Sequence, residues 1–170
     1  RRLKIREIQE FSVLWTDKTG GTKEVFEQFY IWFKQSQWEH DFDRRKDDPL
    51  TVVLAAAPAP LAYFFALAFA DFRNDKHQAL LADLYEKALS GILCYDVVFY
   101  LPPEFCVPEG DRLRKKDFRK NIDAAIKSFL QTHKIVFTEI AGPEPKRVNK
   151  ALALIKKALK KKLEAESVKT

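Results

Sequence analysis

Residues 97–103, VVFYLPP, decide the fold class. Val97 to Leu101 are apolar without a break, and β-branched and aromatic residues of this kind suit a strand. Pro102 and Pro103 close the run, because proline donates no ladder hydrogen bond. A strand apolar on both sides is buried on both faces, the habit of parallel sheets sheathed in helices. Thr51–Ala55 (TVVLA) and Ile135–Ile140 (IVFTEI) read as further strands, and Phe11–Trp15 (FSVLW) as a short strand or strand end.

Working outward, the segments between these runs carry helical spacing. Residues 23–42 place Phe26, Phe29, Tyr30 and Phe33 on one face, and the aromatic set Phe26, Tyr30, Phe33, Trp38 and Phe42 is expected in a core rather than in a base-stacking pocket. Pro60 starts a second helix, since proline suits the first turn. A third runs from about His77 to Ser90 on Leu80, Leu81, Leu84 and Leu89, with Gly91 as its stop. Asp117–His133 carries Phe118, Ile122, Ala125, Ile126, Phe129 and Leu130 along one stripe. A last helix spans about Lys146 to Glu164. Strands alternating with helices predict a single α/β domain over 1–170. Its form is a three-layer sandwich, with 51–55, 97–101 and 135–140 as adjacent parallel strands. Ligands in such folds bind at the carboxyl ends of the strands, so the loops after Leu54, Leu101 and Ile140 matter most.

Composition bounds the function. The 170 residues are 46% hydrophobic and 13% aromatic, which excludes a disordered chain. The longest apolar stretch, Leu50 to Phe72, is interrupted by Pro58 and Pro60, so no membrane span is expected. The start, RRLKIREIQEF, lacks the apolar segment of a signal peptide. Two cysteines make no disulfide framework and point to a cytoplasmic or other reducing compartment. With no methionine in the sequence, Arg1 is expected to be an internal residue with more chain upstream. The net charge of +6 gathers in Arg112–Lys120 and in Lys156, Lys157, Lys160, Lys161 and Lys162. The first cluster reads as functional, the second as a solvated helix face.

The stretch CYDVVFYLPPEFCVPEGDRLRKKDFRKNID, with IVFTEIAGPEPKRVNKAL after it, resembles one family. It is similar to the AAA-type P-loop ATPases that include the nicotinamide riboside kinase domain of bacterial NAD biosynthesis. The resemblance rests on Tyr95, Asp96, Pro102 and Pro103, on Arg112, Arg114, Arg119 and Asp123, and on Val148, Ala151 and Leu152. VVLAAAPAPLAY adds to it, and the whole covers roughly Thr51 to Ile155. It implies ATP and magnesium as cofactors and phosphoryl transfer to a nucleoside-like hydroxyl, or ATP hydrolysis. Residues 102–120 would be a basic lid in which Arg112, Arg114, Lys115, Lys116 and Arg119 close over the phosphates. Arginine forks suit that task, because they match phosphate oxygens bidentately.

Two departures limit the resemblance. The phosphate loop G-x-x-x-x-G-K-[S/T] is absent, and GGTK at Gly20–Lys23 reads as a turn with Thr22 as a cap. Ala55, Ala56 and Ala57 stand where the family has Asp-Arg-Ser or similar, and alanine neither ligates a cation nor accepts a proton. The chain alone is therefore expected to be catalytically inactive. The alternative is a degenerate kinase-like fold acting as a structural or interaction module, with a protein or RNA partner. The other reactive residues read blandly. Asp96 is a strand-start residue and Glu104 faces water. His40, His77 and His133 match no metal spacing. Cys94 and Cys106 lack the neighbours of a catalytic thiol.

Overall fold

The computed structural model describes residues 4–20, 24–44, 51–103 and 116–167. They are mixed α/β, mostly helical, with two small two-stranded sheets, and both sheets are parallel. The chain divides into two compact units, Arg1–Leu93 and Cys94–Thr170.

In the first unit, β1 (Lys4–Ile8) pairs with β2 (Thr51–Ala55) in parallel, from Lys4↔Thr51 to Ile8↔Ala55. Parallel neighbours cannot be joined by a tight turn, so the chain between them must cross over. It does so through α1 (Phe11–Thr19) and α2 (Val25–Arg44). After β2 come α3 (Leu61–Phe69) and α4 (Asp75–Ile92). Pro60 is the N-cap of α3, as its fixed φ favours. Asn74 caps α4 by accepting the Lys76 N–H at 3.0 Å.

The core of this unit is Val25, Ala66, Leu81 and Leu84, with Phe29, Trp32, Tyr63 and Leu67 packed around it. Small Ala66 lets α3 approach its neighbours, and Leu84 fills the space. Truncating a leucine at such a fully buried position costs about 2–5 kcal/mol. Lys87 Nζ on α4 lies 5.2 Å above the Trp32 ring of α2, which adds a cation–π contact at the margin.

Polar side chains complete the packing of α2. Gln35 is buried, and its Oε1 accepts the Phe11 N–H at 2.9 Å. That amide belongs to the first turn of α1, where no intrahelical partner exists. Gln35 Nε2 donates to Glu39 Oε1 at 3.3 Å, and the same oxygen accepts the Ala59 N–H at 2.9 Å. Two side chains of one helix thus hold the start of α1 and the turn before α3.

Several expectations need correcting. Phe11–Trp15 is not a strand but the first half of α1. The helix continues through Asp17–Thr19 and stops at Gly20, whose φ of 77° is a left-handed cap that closes onto Thr16 O. A five-residue apolar run does not separate strand from helix by itself. The buried face of α2 is Val25, Gln28, Ile31 and Gln35, whereas Phe26, Tyr30 and Phe33 are each 38–50% exposed. The expected aromatic core on those three residues is therefore a surface row; Phe42 lies outside the described side chains. The helical stripe was right in period but displaced by one residue, because two buried glutamines, Gln28 and the hydrogen-bonded Gln35, occupy the inner face. Gly91 does not end α4, which reaches Ile92. A Cβ at Gly91 would sit 3.4 Å from Pro60 Cγ, in ordinary van der Waals contact with the start of α3.

The second unit contains β3 (Phe99–Tyr100), α5 (Lys116–Thr132), β4 (Thr138–Glu139) and α6 (Glu144–Ser167). β3 and β4 pair in parallel, as expected for 97–101 and 135–140, through Phe99↔Thr138 and Tyr100↔Glu139, but 51–55, expected as their neighbour, pairs instead with β1 in a separate sheet. The strands are shorter than the apolar runs that announce them. Among its described residues Tyr100, Phe129, Leu130, Ile140 and Ile155 are buried. Lys150 Nζ on α6 donates to Glu139 O at 2.8 Å, and Lys162 Nζ contacts Asp96 at 3.0 Å. The first contact lies at the end of β4 and the second just before β3, so α6 runs back alongside the strands.

Burial raises the Tyr63 phenol pKa, and the neighbouring Tyr85, 5.4 Å away ring to ring, raises it further. An unfolded chain therefore ionises this phenol first, at about pH 10. The stabilisation is full below that pH and is lost as pH rises through the elevated folded value. In an alkaline titration of tyrosinate absorbance, Tyr63→Phe should remove a late-ionising phenol and flatten the alkaline fall in stability. Unchanged titration in the variant would contradict the burial argument.

Candidate functional site

Three side chains on α5 stand one turn apart: Arg119, Asp123 and Lys127. At i, i+4 and i+8 they share one helix face. Asp123 and Lys127 meet Tyr100, the last residue of β3. The buried Tyr100 hydroxyl donates to Asp123 Oδ1. Lys127 Nζ sits 4.8 Å from the centre of the Tyr100 ring. Phe137 packs against the same ring edge-on at 6.0 Å. A phenol donating to a carboxylate is a charge-assisted bond, worth about 1.5–3 kcal/mol.

The pairing of the strands places this group. Ile140 N donates to Tyr100 O at 2.8 Å, so the carboxyl ends of β3 and β4 lie side by side. The chain leaves β3 at Leu101 and Pro102 toward the segment expected to be the lid, and returns at Lys116, the first residue of α5. Arg119 is therefore one turn nearer that segment than Asp123. It is half-buried and engaged with neighbours. Arg112, Arg114 and Lys115 lie outside the described residues, as does the side chain of Lys116. Of the five lid cations, the structure thus locates the Arg119 side chain, and brings it onto the face that carries Asp123 and Lys127. The carboxylate Asp123 entered the sequence reading as part of a motif; its partner Tyr100 was read only as strand. The i, i+4, i+8 spacing of Arg119, Asp123 and Lys127 is the signal that marks the face.

The remaining candidates do not assemble into a second centre. Asp96 is exposed and pairs with Lys162. His77 Nδ1 accepts the Asp71 N–H at 3.1 Å, and its ring meets Phe26. His133 packs on Phe129, and His40 is exposed. Cys94 is exposed, while Glu104 and Cys106 lie outside the described residues. Gly20 is the α1 cap, and Gly21–Lys23 lie outside the described residues. Among the described residues, no three His, Cys, Asp or Glu side chains converge as a metal site. At the carboxyl end of β2, the methyl groups of Ala55, Ala56 and Ala57 offer a divalent cation no ligand. The magnesium implied by the resemblance does not fit there. No helix among the described residues is long and apolar enough to cross a membrane.

One cleft in the first unit, of about 390 Å³, is lined by Tyr63, Leu67, Phe72, Gln78, Tyr85 and Glu86 among others. Its walls carry no Lys or Arg, and Glu86 is its only charge. It is therefore ill suited to phosphate.

No family model, curated protein or solved structure matches the chain.

The Tyr100–Asp123 bond makes a direct forecast. A double-mutant cycle of Tyr100→Phe and Asp123→Asn, read by urea unfolding, should give a coupling energy of about 1–3 kcal/mol. Strictly additive losses would show that the two groups do not stabilise each other.

Proposed function

We propose that this chain is a nucleotide-binding domain of the P-loop kinase type that does not turn over its nucleotide by itself. The observation that carries the reading is the β3–α5–β4 unit. Parallel strands flank a helix whose Arg119–Asp123–Lys127 face is anchored to the carboxyl end of β3 through Tyr100. Ligands of parallel α/β folds are held at that end of the strands. β1–α1–α2–β2 repeats the parallel crossover, which supports the finer reading of a three-layer, kinase-like sandwich.

Charge supports the same reading. Residues 94–170 hold seventeen basic and ten acidic residues, a net +7, whereas residues 1–93 hold thirteen and fourteen, a net −1. The surplus belongs entirely to the unit with the proposed site. Arg112, Arg114, Lys115, Lys116 and Arg119 contribute five of its cations, and their guanidinium and ammonium groups would contact the nucleotide phosphates. Asp123 and Lys127, fixed on Tyr100, orient the helix from which Arg119 reaches.

The same chemistry argues against turnover. Phosphoryl transfer depends on positioned donors around the moving phosphoryl group. The phosphate loop is missing from this sequence, and three alanines replace the acidic motif. Those alanines, with the exposed row of Phe26, Tyr30 and Phe33 on α2, favour the second reading, a kinase-like fold kept as an interaction module.

Calorimetric titration of ATP into the full chain, at two salt concentrations, tests the first reading. Binding should weaken as salt rises. Arg114→Ala with Arg119→Ala should cost about 1–3 kcal/mol of binding while circular dichroism stays unchanged. Phosphate release with magnesium should equal that of buffer. Equal ATP affinity in parent and variant would remove the lid, and absence of ATP binding would leave the interaction-module reading.

A further inference from the structure

We propose that the lysine face of α6 is a sequence-independent binding surface for duplex nucleic acid. The inference stands on α6 and does not require the nucleotide site.

The helix has two unlike sides. Ile155 is buried, and Ala151, Leu152, Ala158, Leu159 and Leu163 are half-buried beside it. On the opposite side Lys146, Lys150, Lys157, Lys160 and Lys161 are all exposed. At 3.6 residues per turn those five lysines fall within about a third of the circumference. Asn149 and Ala153, small and exposed, lie between them and leave room for close approach. From Lys146 to Lys161 the row extends about 23 Å at about 1.5 Å per residue.

A merely solvated face would mix signs, since alternating Glu and Lys stabilises an exposed helix. This one does not. Residues 146–163 contain eight basic and no acidic residues. Lys157 and Lys161 stand at i, i+4, as do Lys156 and Lys160, and like charges at that spacing destabilise a helix. The helix dipole does not account for them, because its effect is confined to the last turn, and α6 continues to Ser167. Internal pairing uses only part of the set. Lys150 binds Glu139 O, Lys160 lies 3.7 Å from Glu164, and Lys162 pairs with Asp96. Lys146, Lys156, Lys157 and Lys161 make no ion pair among the described residues. These lysines are exposed, as a solvated face requires, and the single sign of their charge is what points beyond solvation.

The chemistry of the face selects its partner. α6 contains no aromatic residue, so it offers no platform for unstacked bases, the usual holder of single strands. Its apolar side is turned into the unit, so it cannot enter a lipid surface as an interfacial helix does. What remains is a rigid row of ammonium point charges, which suits a rigid row of phosphates. Lysines lack the bidentate fork that reads a base edge, so binding is to the backbone and indifferent to sequence.

The test is fluorescence anisotropy of the full chain with a labelled random-sequence DNA duplex across a salt series. With four phosphate contacts, log K should fall against log salt with a slope of about −3.6. Lys157→Gln with Lys161→Gln should reduce that slope by about 2 and weaken binding roughly ten- to a hundredfold near 0.1 M salt. Lys18→Gln with Lys76→Gln, an equal charge change in the first unit, should alter neither. Lys157→Arg with Lys161→Arg should restore binding, and ATP affinity should be the same in all four proteins. A shuffled duplex should bind equally. An unchanged slope in the Gln variant, tighter binding of a single strand, or binding of anionic phosphatidylserine vesicles but not of duplex would each overturn the proposal. So would loss of duplex binding in the Arg114→Ala, Arg119→Ala protein alone, which would assign the duplex to the lid.

Discussion

A parallel pair of strands leaves the chain at the wrong end to start the next strand, and everything between must carry it back. That constraint shapes both units. In the first, α1 and α2 fill the return from β1 to β2; in the second, α5 lies in the return from β3 to β4. It also puts the two strand exits of each pair on one side. At that side of the second unit Tyr100 ends β3, and α5 presents its charged face to it. The proposed nucleotide site is a consequence of the pairing, with Tyr100–Asp123 as the joint between strand and helix.

The first unit shows a different economy of partners. Its sheet is small and β1 is largely exposed, so stability must come from α2, α3 and α4 around Leu84 and Ala66. Within that packing Gln35 and Glu39 satisfy backbone amides that would otherwise be left without acceptors. Leaving such a donor unpaired costs about 1–3 kcal/mol, which explains two polar residues where apolar ones would pack as well. The aromatic residues displaced from that face line the surface instead.

These particulars also show where sequence reading reached its limit. The helices α2 to α6 were legible, because apolar periodicity and Pro60 announce them. So were the places of β2, β3 and β4, through β-branched runs ended by breakers. β1 was not legible: KIREI carries three charged residues in five and alternates poorly, as an edge strand does. Phe11–Trp15 misled because a short apolar run fits either element, and the decisive feature was Gly20 five residues further on. The inner face of α2 misled because a buried glutamine with partners looks polar in sequence. At the site, the basic cluster could be read from composition, but the Tyr100–Asp123–Lys127 grouping joins residues 23 or more apart and needs the fold. The lysines of α6 were visible, and what the structure adds is their common side and which of them make no ion pair among the described residues.

The second unit is the proposed holder of phosphate. Amide hydrogen exchange on the full chain, with and without ATP, tests this most directly. The account predicts slowed exchange in residues 99–127, strongest in the first turns of α5 around Arg119 and Asp123, and no change in α2, α3 or α4. Protection confined to the first unit, or none anywhere at saturating ATP, would contradict it.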